Sequence, residues 1–169
     1  MERTTVDNML SDYKRCAARR AFLRVRIGMA EEQLRREEEQ ALAEAAQPGH
    51  GLAGGCRGGM PGDPTAGVAV RFAMGHWPRY LQEMAGNLAG MREEMRACEA
   101  VCQCVEAWLE ALSGRERLVI EQHVIGGAGY GDVLERFARE YPATAVTSRD
   151  GLRRIKQRAL EKIYAAAGE

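Results

Sequence analysis

Two long stretches of the chain carry apolar side chains at alternating steps of three and four residues. The first runs through Val6, Met9, Tyr13, Cys16, Leu23, Ile27, Ala30 and Leu34, with Arg20 occupying one position of the same stripe. The second runs unbroken through Leu81, Met84, Leu88, Met91, Met95, Cys98, Cys102, Val105, Leu109 and Leu112. Such spacing holds one seam of a helix against a partner helix. Gly28, Gly86 and Gly90 each cost a helix on the order of 1 kcal/mol. Neither helix is therefore expected to stand alone. The expectation is an all-α protein with two long heptad-bearing helices, one in residues 1–46 and one in 64–112. An antiparallel helical hairpin within the chain is the economical arrangement; a coiled coil between two chains, giving a homodimer, is its competitor. Arg20 would weaken the first seam or set its register.

Between the two stripes, residues 47–63 (QPGHGLAGGCRGGMPGD) read as a Gly/Pro-rich flexible linker. A short amphipathic helix is expected after it, from Pro64 or Thr65 to about Met74, with Val68 and Phe72 on one side. Gly75 and Pro78 then end it before the second long helix.

After Leu112 the pattern shortens. Ser113 followed three residues later by Glu116 has the spacing of a capping box. Leu118, Val119, Gln122 and Ile125 then mark a short helix ending at Gly126 and Gly127. A second helix is predicted over about 132–141, burying Val133, Leu134, Phe137 and Ala138 and stopped by Pro142. Thr147 or Ser148 caps a third, with the stripe Leu152, Ile155, Ala159, Ile163 and Ala166. Three short helices so connected over residues 113–169 predict a C-terminal helix-turn-helix domain.

Composition supports helix, since Ala, Glu, Arg, Leu and Met are plentiful and aromatics make up 6%. Lys plus Arg number 24 and Asp plus Glu 24, so bulk charge does not announce a partner. Its distribution is more telling. Residues 31–44 hold six Glu against two Arg, whereas 149–162 hold six basic residues against two acidic ones. Five irregularly spaced cysteines, and a charged first stretch without an apolar core, predict free thiols in a reducing, cytoplasmic compartment. No apolar run approaches the roughly 20 residues of a membrane span, so no membrane partner is expected.

The basic residues fall on the third helix. Its apolar stripe leaves Arg149, Arg153, Arg154, Lys156, Gln157 and Arg158 on the remaining surface. A helix lying in the major groove needs cations toward phosphates and bidentate donors toward base edges. Arg149, Arg153 and Gln157 are the candidates for base contacts, and Arg154, Lys156 and Arg158 for phosphate. The free N–H groups at the helix start, near Thr147 and Ser148, offer a further phosphate site. Double-stranded DNA is the expected partner. The bland alternative for such a surface is simple solvation.

The stretches LSGRERLVIEQHVIGG, YGDVLERFAREY and TSRDGLRRIKQRALEKIYAA resemble region 4 of bacterial sigma factors. The matching residues are Leu112, Glu116, Arg117, Val119 and Ile120, then Gly127 and Val133, then Arg158, Ala159, Leu160, Lys162 and Ile163. In size and layout the chain resembles the ArpU/RinA-type phage late transcription regulators, although this second likeness rests on layout alone in the front part. The resemblance implies a phage or prophage transcription regulator that reads DNA with its last helix, with RNA polymerase as a candidate further partner. Nothing resembles the promoter-melting part of a sigma factor, which argues against a complete one. The loop PATAVT is also longer than the turn usual before a recognition helix, which bears on the register of the base contacts.

Other constellations are weaker. Cys98, Cys102 and Cys104, with His76 or His123, invite a metal reading, but Cys98 and Cys102 fall on heptad positions where cysteine acts as a small hydrophobe. His123 reads as a surface or packing residue. No nucleophile, base and acid set and no phosphate-binding glycine loop is present, so neither enzymatic activity nor a cofactor is expected. Two other function classes fit the same pattern: a DNA-packaging protein like a small terminase subunit, and an adaptor that docks on polymerase.

Overall fold

The computed structural model describes residues 1–45, 75–144 and 146–168. The regular structure of the described residues is all helix, without a strand, as the patterning predicts. The elements are α1 (Arg3–Ala45), α2 (Arg79–Glu110), α3 (Gly114–Val119), a π-helical turn (Ile120–Ile125), α4 (Tyr130–Glu140), a 3-10 turn (Pro142–Thr144) and α5 (Arg149–Gly168). The expected linker at 47–63, the expected short helix at 64–74 and Cys56 lie outside the described residues.

The second heptad stripe is sequestered along its whole length. Leu81, Leu88, Cys102, Val105, Leu109 and Leu112 are buried, and Met84, Met91, Met95 and Cys98 are half-buried. On the first stripe Val6, Leu23 and Ile27 are buried, joined by Leu10, and the remaining positions are half-buried.

The chain divides into two compact units, Met1–Ala21 with Met95–Glu169, and Phe22–Glu94. The second unit buries Leu23, Ile27, Ala41, Leu81 and Leu88, and Arg92 donates to Glu31 at 2.6 Å. In the first unit the short C-terminal helices share a core with the start of α1 and the end of α2. One cluster gathers Val6 and Leu10 from α1, Val105, Trp108 and Leu109 from α2 with Leu112 just after it, Ile120 from the π turn, and Ala159 and Ile163 from α5. A second cluster joins Leu118, Val119, Val133, Phe137 and Leu152. Successive residues therefore serve different cores: Leu118 and Val119 face the second cluster and Ile120 the first. Side chains about 100° apart on a helix can do this.

Arg20, the charged member of the first stripe, is kept 27% exposed with its guanidinium 3.9 Å from Glu106, which also accepts from the Tyr13 hydroxyl at 3.4 Å. Burial and the nearby Glu106 carboxylate both push the Tyr13 phenol up. The polar interruption of the stripe is thus answered by a carboxylate on α2.

Local signals explain the short helices. The Ser113 N–H and hydroxyl both donate to the Glu116 carboxylate, at 3.0 and 2.7 Å, closing the start of α3. The π turn ends at Gly126, where a Cβ would run into the carbonyl oxygen of Gln122. Gly127 follows in the left-handed region at φ 71°, which L side chains reach only at a cost of about 1–2 kcal/mol. The α4 helix begins at Tyr130, two residues earlier than its expected start, with Gly129 as N-cap. Two expected core positions are corrected. Ala138 and Ala166 are exposed, because each lies at the edge of its stripe, while Tyr164 and Ala167 pack in part against the first cluster.

Glu116 also accepts from Lys162 of α5 at 2.8 Å, tying the cap of α3 to the last turns of α5. Burial of this carboxyl pushes its pKa up, but the hydrogen bonds from Lys162 and Ser113 outweigh it and hold the group below the usual carboxylate value of 4.5. A folded-state pKa below the unfolded one means the bonded carboxylate stabilises above the ordinary carboxylate range. That stability is lost as pH falls through the depressed value. Urea midpoints measured from pH 7 down to pH 3 should fall for the wild type, and E116Q should flatten part of that fall; identical slopes for both would refute the assignment. Phe137 is fully buried, so Phe137→Ala should cost about 3–5 kcal/mol of unfolding free energy in urea, against less than about 0.5 kcal/mol for the exposed Ala138→Ser.

Candidate nucleic-acid interface

The last helix is held from one side. Leu152 enters the second cluster and Ala159 and Ile163 the first, so three points along α5 define its inward line. With about 100° between successive residues, the opposite line runs through Asp150, Arg154, Gln157 and Glu161. Arg149, Arg153 and Lys156 fall on one flank and Arg158 on the other. Arg149, Arg153, Arg154, Gln157 and Arg158 are all exposed and Lys156 is half-buried.

Arg154, expected from spacing at a phosphate, stands at the centre of the outward line. Arg149, expected at a base edge, sits on the flank with its guanidinium 4.9 Å above the Tyr130 ring. Ser148 is a cap: its hydroxyl oxygen accepts from the Gly151 N–H at 3.1 Å, so one of the amide groups expected to meet phosphate is already satisfied from within. Gly151 is required there because a Cβ would collide with Val146, which packs against the second cluster.

Two of the predicted residues have acidic neighbours on α5 itself. Arg153 lies 3.3 Å from Asp150, and the Gln157 amide donates to Glu161 at 3.2 Å. Both carboxylates are solvent-exposed, and exposed pairs of this kind contribute little, about 0.2–1 kcal/mol. By contrast, among the described residues no carboxylate lies within ion-pairing reach of Arg149, Arg154, Lys156 or Arg158. On the other helices several arginines are matched, as in Arg15–Asp12, Arg36–Glu32, Arg79–Glu83, Arg117–Glu121 and Arg136–Glu140. The surplus positive charge of the chain's last helix is left facing solvent.

Three residues outside the predicted set complete the surface. Tyr130, at the first position of α4, carries Arg149 on its ring, with Arg153 at 5.9 Å. It is itself braced by His123, whose ring centroid is 4.1 Å away. His123 in turn makes a 2.8 Å hydrogen bond to the Ala128 carbonyl, which makes it a packing residue of the glycine turn. Arg3, on the first turn of α1, lies 5.2 Å above the ring of Tyr164, whose hydroxyl donates to Asp7 at 2.7 Å. The hydrogen bond to Asp7, then burial, push the Tyr164 phenol up, so it remains a donor. A groove of about 390 Å³ runs between these parts, lined among others by Arg3, Tyr130, Arg153, Lys156, Leu160 and Tyr164. An aromatic at the head of α4, directly after a glycine turn, was the sequence signal for Tyr130. No local signal pointed to Arg3.

Cys16, Cys98 and Cys102 behave as seam residues. Cys102 is fully buried, Cys16 and Cys98 are half-buried, and burial pushes the Cys16 and Cys102 thiols up. Among the described residues no group of three His, Cys, Asp or Glu side chains is arranged to hold a metal ion. Nor is any described helix long and apolar enough to cross a membrane. No family model, no curated protein and no solved structure matches this chain.

Proposed function

We propose that this protein is a sequence-specific DNA-binding transcription regulator of the phage or prophage type, in which α4 and α5 form a helix-turn-helix and α5 enters the major groove. The observation that carries the reading is the cationic surface of α5, on which Arg149, Arg154, Lys156 and Arg158 meet no carboxylate among the described residues. A helix whose inner line is fixed by Leu152, Ala159 and Ile163 presents that surface in one orientation. The two long helices are in this reading an antiparallel hairpin.

In this arrangement Arg154 and Gln157 reach base edges from the outward line. Arg149, Arg153 and Lys156 on one flank, and Arg158 on the other, meet the phosphates of the two strands. The amide of Gln157 exchanges Glu161 for a base. Asp150 and Glu161 discourage indiscriminate binding, since an exposed carboxylate near a phosphate costs affinity unless a cytosine amino group or a water lies between. The likeness to sigma region 4 supports the same assignment of helices, and an RNA polymerase contact would supply the extra specificity that one helix-turn-helix lacks.

Selection of duplexes from a random library should yield a consensus that binds at least about tenfold tighter than random DNA at moderate salt. On that consensus Arg154→Ala should cost about tenfold to a hundredfold and relax preference at one base pair, while Arg158→Ala weakens all sequences alike. Recovery of no consensus, with affinity equal for all duplexes, would refute the sequence-specific reading.

A further inference from the structure

We infer that the groove between the first turn of α1, the head of α4 and the flank of α5 is a second phosphate site, in which Arg3 joins Arg153 and Lys156 on a backbone phosphate of the bound duplex. This rests on the DNA-binding reading and extends it to a helix outside the helix-turn-helix. Three cationic side chains line the groove, and Glu161, the one acidic residue of its lining among the described residues, already accepts from Gln157. Among the described residues no carboxylate pairs with Arg3 or Lys156, and the nearby Asp7 is engaged by the Tyr164 hydroxyl.

The tyrosines are what make this more than a cluster of surface charge. A guanidinium stacked on a ring uses its flat face for the ring and leaves its N–H donors, which lie in the plane, for a planar or tetrahedral anion. Arg3 lies over Tyr164 and Arg153 over Tyr130, at 5.2 and 5.9 Å, so the Arg3 fork is supported before any ligand arrives, while Arg153 exchanges the exposed Asp150 for the phosphate. The Asp7 bond fixes the Tyr164 ring and so fixes the platform under Arg3. Ordering the long Arg3 side chain in advance removes entropy that binding would otherwise cost. Lys156, more compact and half-buried, adds charge to the same groove.

The test uses the full chain and a 30-base-pair random-sequence duplex, with affinity followed by fluorescence anisotropy as salt is raised. Arg3→Ala should weaken binding about fivefold to tenfold near 0.1 M salt and lower the slope of log affinity against log salt by about 0.9, the value of one lost phosphate contact. Lys156→Ala should behave alike, and Arg3→Lys should restore most of the slope. Tyr164→Phe, which keeps the ring but frees it from Asp7, should weaken binding by less than Arg3→Ala. An Arg3→Ala protein with wild-type melting temperature, affinity and salt slope would overturn the second site, provided Arg154→Ala weakens the same duplex. A wild-type chain that does not bind the duplex at all would overturn the DNA-binding reading itself, and this inference with it.

Discussion

Everything distinctive in this protein follows from how α5 is clamped along its inner line. Leu152 is committed to one apolar cluster, and Ala159 and Ile163 to another, seven and eleven positions further on. Burying such side chains is worth about 1.5–3 kcal/mol each for Leu and Ile. A rotation of α5 by one residue would withdraw all of them at once. Helix rotation is therefore a property of the core, and the direction in which the guanidinium groups point is a consequence. The same clamp explains why the short helices are not self-sufficient: the cluster holding Ala159 and Ile163 also takes Val6 and Leu10 from the beginning of the chain.

Electrostatics follow the same division. Several arginines of α1, α2, α3 and α4 pair with carboxylates three or four positions away on the same helix, as Arg15, Arg36, Arg79, Arg117 and Arg136 do. On α5 the unpaired cations are concentrated in ten residues. Lys162 is used structurally, on Glu116, and Arg153 has Asp150, but Arg149, Arg154, Lys156 and Arg158 have no such partners among the described residues. A zero net charge conceals this, because the excess acid resides in residues 31–44. Bulk charge was the least informative property of the chain.

Much of the helical framework was legible beforehand, for a physical reason: burial acts on side chains at fixed angular intervals, and those intervals are written directly in the spacing of Leu, Met, Val and Cys. The buried positions of α2, the cap at Ser113 and the stop at Gly126–Gly127 all belong to this local class. What could not be read depends on residues distant in the chain. Glu116 was visible as half of a capping box but not as the partner of Lys162, 46 positions away. Arg20 was visible as a flaw in a stripe, and only the fold supplies Glu106 as its answer. Helix edges were misjudged at Ala138 and Ala166, where small apolar side chains fit a stripe without being covered. Side-chain periodicity placed Arg149 and Arg154 on the exposed surface of α5 but did not show that Arg154 stands at its centre and Arg149 on its flank.

The exposed cations of α5 can be interrogated one at a time by NMR of arginine side-chain Nε–H groups while a cognate or random duplex is added. Shifts concentrated on Arg149, Arg153, Arg154 and Arg158, with the paired Arg79, Arg92 and Arg136 unmoved, are the expected result. Shifts spread evenly over all arginines, or centred on Arg79, Arg92 and Arg136, would contradict a DNA-reading surface on α5.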